Sequence, residues 1–276
     1  MTELIPHPDY DALREDSRRL QDELSYALAE LDQMQTQTRP YLLALYQQKI
    51  GRFEWRCLRE QCKAEWLRRF IESVQAARNR GASPAIEQIE AALQQELAAY
   101  WTKLGEAAAK VEAAQRLLGN LMSPEQSREF RKLYYQLVKR LHPDVNPSLS
   151  DREQLFWRRT QQAYEAGDME ELRAIWQGVE ALPAGAEPSR LEDLRRRRQR
   201  LLEEIARVRT RLEELERQPP FDLRDKLTDE EWVRSQLEQI ETLRHGHAER
   251  VQFLWAQLLT MVGDSYDGLE LQFGSD

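Results

Sequence analysis

The sequence predicts an all-α protein made of long antiparallel helices or coiled coils. Three observations carry that expectation. Charged residues fill 32% of the 276 positions while Gly and Pro number only 11 each, a composition of long solvated helices rather than of a sandwich or an α/β sheet. Mean hydropathy is −0.75, and no apolar run approaches the roughly 18–20 residues that cross a bilayer. Over most of the chain, apolar residues recur alternately three and four apart, which lays one continuous stripe along a helix face.

The first stripe is Tyr10, Leu13, Ser17, Leu20, Leu24, Ala27, Leu31 and Met34, with Ser17 its polar exception, and it predicts a helix over about 9–37. "TRP" at 38–40 marks a break. Tyr46, Ile50, Phe53, Cys57, Glu60, Ala64, Leu67, Ile71 and Val74 then predict a second helix over about 40–79. "NRGASP" supplies a glycine stop, Ser83 as N-cap and Pro84 at the first helical position, because proline lacks the N–H that a first turn leaves unbonded anyway. From Pro84 the stripe runs through Ile86, Leu93, Tyr100, Leu104 and Val111 to Leu118 as a third helix. Residues 1–116 are therefore expected to form a long-helix bundle or coiled coil.

Beyond a central segment at 117–181, the breaker-rich "LPAGAEPS" at 182–189 reads as a linker. Leu191, Leu194, Arg198, Leu201, Ile205, Val208, Leu212 and Leu215 form the next stripe, ended by "QPPFDL". Thr228 with Glu231 gives a capping box, and Val233, Leu237, Ile240, Arg244, His247, Val251, Leu254, Leu258 and Met261 form the return stripe. Residues 190–264 are thus expected to fold back as a coiled-coil hairpin with Arg198 level with Arg244 and His247, and 265–276 to be a frayed tail. The heptads suit pairing within one chain or between two copies in a homodimer.

Charge and cysteine content narrow the function classes. A net charge of −8 opposes whole-surface attraction to nucleic acid or anionic lipid. Residues 128–159 nevertheless hold eight Arg or Lys against four carboxylates, a local basic patch. "RRRRQR" at 195–200 is followed on its own helix by Glu203, Glu204, Glu213, Glu214 and Glu216, which favours a solvated face over nucleic-acid binding. Cys57 and Cys62 lie five apart without a zinc or redox spacing, so free thiols are expected. His245 and His247 lack supporting ligands for a metal. With no phosphate loop, paired-carboxylate site or nucleophile triad in view, neither an enzyme nor a cofactor or metal site is expected. The acidic, polar N-terminal residues lack a signal-peptide pattern, which points to the cytoplasm.

The central segment is of another kind. Ser123-Pro124-Glu125-Gln126 is a strong helix start, an N-cap with Pro at the first position and Gln126 closing a capping box. Phe130, Leu133, Tyr134, Leu137, Val138 and Leu141 take one side of that helix, leaving Arg131, Lys132, Lys139 and Arg140 to the other. Pro143 disfavours helical geometry at His142 and stops the helix there. "HPDVNPSLS" makes a loop, Ser150 with Glu153 caps again, and a further helix carries Trp157, Thr160, Ala163 and Tyr164.

Together, "FRKLYYQLVKRLHPDVNP" and "WRRTQQAYEAGD" resemble the J domain of DnaJ-type co-chaperones, two antiparallel helices joined by a His-Pro-Asp loop. Tyr134 and Leu137 match the family's second helix, His142-Pro143-Asp144 and Asn146-Pro147 its loop, and Trp157, Ala163, Tyr164 and Glu165 its third. Tyr135 and Gln136 stand where the family has a basic pair, and its short first helix is represented only by "RLLGNLM" at 116–122, fused to the preceding long helix. The resemblance implies a co-chaperone that recruits a DnaK-type ATPase chaperone and stimulates its hydrolysis, with His142, Pro143, Asp144, Arg131, Lys132, Lys139 and Arg140 as the docking residues. The coiled coils would then hold a client or partner. The alternative is a coiled-coil scaffold or adaptor that keeps a J-like fold without stimulating any chaperone. A second His-Pro-Asp at 7–9 has no helix before it, and Asp9 there is expected to cap the first helix.

Overall fold

The computed structural model describes residues 8–183, 190–263, 266, 268 and 273. His7, residues 184–189 of the expected linker and most of the expected tail lie outside the described residues. Among the described residues there is no strand, and the all-α expectation holds. The elements are α1 (Pro8–Gln33), a π-helical turn at Met34–Thr38, α2 (Arg39–Tyr46), a second π-helical turn at Gln47–Gly51 and α3 (Arg52–Asn79). Then come α4 (Ile86–Glu96), α5 (Ala98–Gly119), α6 (Pro124–Leu141), α7 (Asp151–Ala166) and α8 (Met169–Glu180). The order closes with α9 (Leu191–Glu216), a 3₁₀ turn at Phe221–Leu223, α10 (Arg224–Thr228) and α11 (Glu230–Val262).

Two compact units arise, each from two stretches of chain: Met1–Leu42 with Leu121–Asp222, and Leu43–Asn120 with Leu223–Asp276. In the first, α1 packs on α6 and α9, and α6, α7 and α8 pack on one another. Its core joins Leu20, Leu24 and Leu31 of α1 to Leu137 and Leu141 of α6, Tyr164 of α7, Ile175 of α8 and Leu201 of α9. In the second unit α11 lies along α3, while α5 packs on α3 and on the turn at Gln47–Gly51. Trp66, Leu67, Phe70 and Val74 there bury against Leu93, Leu97, Leu254 and Leu258. Glu60, an acidic member of the interior stripe, is accommodated by an ion pair with the equally buried Lys63 at 3.1 Å. Cys57 and Cys62 are free, and burial pushes the Cys62 thiol up to about 11.

The division into units differs from the expected one. The bundle at 1–116 and the hairpin at 190–264 are replaced by pairings distant in sequence, α1 with α9 and α3 with α11. Both pairs run parallel. Asp16 bonds Arg198 and Glu23 bonds Arg209, so numbers rise together along α1 and α9. Arg244 acts on Cys57, and Arg78 donates to the Met261 carbonyl, so they rise together along α3 and α11 as well. Arg198 accordingly forms its ion pair with Asp16, at 2.6 Å, instead of a polar layer with Arg244 and His247. Parallel pairing needs long connections, and the intervening helices provide them.

Three local expectations are also revised. Pro40 does not break the helical path; the turn at Met34–Thr38 widens before it, and a π turn accommodates the i−4 bond that proline cannot make. The helix expected from Pro84 begins at Ile86 with Ala85 as N-cap and is interrupted at Leu97, whose φ is −95° and ψ 15°. Asp229 rather than Thr228 caps α11, accepting from the N–H groups of Glu231 and Trp232, while Thr228 donates to Asp225. "RLLGNLM" is fused to the preceding helix as expected, since α5 runs on to Gly119, but the unit boundary falls after Asn120 rather than at 117. On α6 it is α1 and α8 that pack.

Leu201 of α9 is fully buried in the first unit. Leu201→Ala is expected to cost about 2–5 kcal/mol, seen by hydrogen exchange as lost protection in α1 and α6 while α3 and α11 keep theirs. Lost protection in α11 instead would favour the hairpin.

Candidate functional site

The site is the turn between α6 and α7 with the helix faces beside it. Both flanking helices start as the sequence dictates: Ser123 accepts from Gln126 and Ser150 from Glu153, with both capping boxes closed. Glu153 takes two further bonds from Ser150, 2.9 Å from its N–H and 2.8 Å from its hydroxyl, which hold its carboxyl below the usual range. Across the turn Arg140 stands 3.7 Å from Glu153 and donates to the Pro183 carbonyl. Gly167, at φ 70°, ends α7 in the left-handed conformation that a residue without Cβ adopts freely.

Aromatic rings line the α6–α7 interface. Phe130 stacks on Tyr164 at 4.9 Å between centroids, and Tyr164 on Tyr134 at 3.5 Å. Trp157 follows Tyr134 at 6.3 Å and meets His142 edge-on at 4.8 Å. The Tyr134 hydroxyl donates to Asp32 of α1 at 2.6 Å. Burial raises the pKa of both partners, for the tyrosine together with the carboxylate's charge, whereas the hydrogen bond from Tyr134 partly offsets the rise at Asp32.

His142 closes α6 with ψ 130°, as a residue preceding proline should, while its N–H still bonds the Val138 carbonyl. Its own carbonyl accepts from Val145 at 3.1 Å and Asn146 at 2.8 Å. Its Nδ1 accepts from the Asp144 N–H at 3.1 Å, which requires the proton on Nε2. Burial of the ring pulls its pKa below the ordinary value, opposed by the charge of Asp144. Val145 is wholly buried beneath the turn. Pro143 and Asp144 face solvent, and the Asp144 side chain is 47% exposed.

Asn146 does the work that the end of α6 leaves undone. The last carbonyls of a helix have no partner within it. The Asn146 amide donates to two of them, Lys139 at 2.8 Å and Arg140 at 3.1 Å. Its oxygen accepts from Gln21 of α1 at 3.1 Å, so α1 braces the turn from behind.

The four basic residues named from the sequence fall into two groups. Arg131 and Lys132 are exposed at the middle of α6, where they border a shallow cleft with Glu30 and Gln33 of α1. Lys139 is engaged by Asp22 of α1, and Arg140 by Pro183 and Glu153. Tyr135 meets Tyr26 of α1 edge-on at 5.7 Å. Gln21, Asp22 and Tyr26 were not legible as site residues, since over a hundred positions separate them from the turn and no local motif marks them. Among the described residues no three His, Cys, Asp or Glu side chains gather as a metal site. "RRRRQR" is not simply a solvated face: Arg197 bonds Gln21 at 2.9 Å and Arg198 bonds Asp16.

Two outcomes check this geometry. Asn146→Ala leaves two carbonyls without side-chain donors and is expected to cost about 1–3 kcal/mol, with faster amide exchange at Val145 and position 146. His142 is expected to titrate below its unfolded value of about 6.5 when followed by NMR of its ring protons. Its folded pKa is the lower one, so the stability it contributes is present above about pH 6.5 and is lost as pH falls through the folded value. A folded midpoint above the unfolded one would contradict the buried, neutral ring. No family model, curated protein or solved structure matches the chain.

Proposed function

We propose that the chain is a J-domain-type co-chaperone, whose α6–turn–α7 segment recruits a DnaK-type chaperone and stimulates its ATPase. One observation carries the reading: Pro143 and Asp144 project from a turn in which the His142 and Asn146 side chains are hydrogen-bonded and Val145 is buried. A carboxylate fixed in this way meets a partner guanidinium at little cost in ordering. Asp144 is the contact residue. His142 positions it by accepting its N–H, and Pro143 fixes φ at the exit of α6. Arg131 and Lys132 steer the approach of an acidic surface.

The chain hydrolyses nothing in this mechanism. The chaperone holds the nucleotide, and binding of the turn favours its hydrolysis-competent arrangement over the resting one. The long helices of the second unit serve a client or coiled-coil partner, with Leu243 and Phe253 exposed on α11 as points of contact. A homodimer through those helices belongs to the same reading. The cytoplasm is the proposed compartment, in keeping with free thiols; no helix among the described residues is long and apolar enough to cross a membrane.

A specific observation favours the second reading, a scaffold or adaptor with a J-like fold and no stimulation. Lys139 and Arg140 are already held within the chain, and Tyr135 packs toward α1. Single-turnover ATP hydrolysis by the cognate chaperone separates the two. The expected result is stimulation by the full chain and its loss with Asp144→Asn; absence of stimulation, or equal stimulation by the variant, leaves the scaffold. Asp22→Asn, which releases Lys139, is expected to strengthen docking about two- to threefold at low salt, with the gain fading as salt rises.

A further inference from the structure

A cleft of about 670 Å³ opens in the first unit between α1, α6 and α9. Five cations from three helices line it: Arg14 and Arg18 of α1, Lys139 and Arg140 of α6, and Arg197 of α9. The lining holds one carboxylate, Asp22, which pairs with Lys139, while Arg140 also pairs with Glu153 and Arg197 bonds Gln21. Trp176 and Leu194 add apolar wall, and apolar surroundings strengthen charge-assisted hydrogen bonds made beside them.

Ser17 supplies a second, independent observation. It lines the cleft at 3% exposure, and its hydroxyl has no hydrogen-bond partner. A helical serine ordinarily donates to the carbonyl four residues back, as Ser25 does to Gln21 at 2.6 Å. A buried hydroxyl left unbonded is costly and calls for a specific reason.

We propose that this cleft binds a small polyanion through its phosphate oxygens, a diphosphate-bearing molecule being the class that suits it. Arginine forks match phosphate oxygens two at a time. Cations placed on three helices suit an ion with several such oxygens better than a single carboxylate. Ser17 donates the uncharged bond, and the cationic wall supplies affinity that falls with salt. The proposal stands apart from the chaperone reading, because no chaperone takes part in the binding.

Calorimetric titration of the full chain with inorganic pyrophosphate at low salt tests it. The expected result is one saturable site with Kd at or below about 1 mM. Arg14→Gln or Arg197→Gln is expected to weaken it about tenfold. Ser17→Ala, which changes no charge, is expected to weaken it severalfold with helicity unchanged by circular dichroism. Arg207→Gln, exposed on α9 outside the cleft, is expected to leave it within about twofold. Absence of saturable binding, an equal loss with Arg207→Gln, unaltered binding by Ser17→Ala, or tighter binding of citrate than of pyrophosphate would overturn the assignment.

Discussion

The position of the exposed turn depends on one file of aromatic rings. Phe130, Tyr164, Tyr134, Trp157 and His142 follow one another along the α6–α7 interface, each within 6.3 Å of the next. Such pairs contribute about 0.5–1.5 kcal/mol each beyond the area they bury. Their larger effect is geometric, since rings stacked from both helices set the spacing between them and place His142 where Pro143 must leave the helix. Tyr134 extends the same constraint to α1 through Asp32.

A turn held in this way is rigid without being buried. His142 spends its acceptor on the Asp144 N–H, and Asn146 spends its donors on the end of α6, so the loop conformation is set by bonds that point inward. Between His142 and Asn146, Pro143 and Asp144 are the exposed side chains. The same α1 that braces the turn through Gln21 also takes up Lys139 through Asp22. The brace on the turn and the pairing of Lys139 therefore come from adjacent residues of α1, and in the proposed co-chaperone reading the strength of docking follows how readily the Asp22–Lys139 pair opens.

Much of this was legible locally. The α1 stripe from Ser17 to Met34 is buried as its spacing required, and so are all six residues assigned to the inner side of α6. The capping boxes that open α6 and α7 both form because each rests on four consecutive residues. What sequence could not convey is which stripe meets which. Heptads in α1, α3, α9 and α11 are alike in composition, and a hairpin between neighbours is the cheaper closure in chain entropy; the pairing observed is parallel and distant. Pro40 misled because a π turn absorbs it. The bracing of Asn146 by Gln21 and the cationic cleft were invisible for the same reason, as both depend on α1 meeting elements more than a hundred residues away.

The most direct measurement of the central claim is NMR of the isotope-labelled chain titrated with the ATP-bound DnaK-type chaperone. The expected result is perturbation centred on Asp144 and Val145 and extending to Arg131 and Lys132, abolished by Asp144→Asn while the aromatic file keeps its shifts. Perturbation confined to α3, α5 and α11, or none at all, would contradict it.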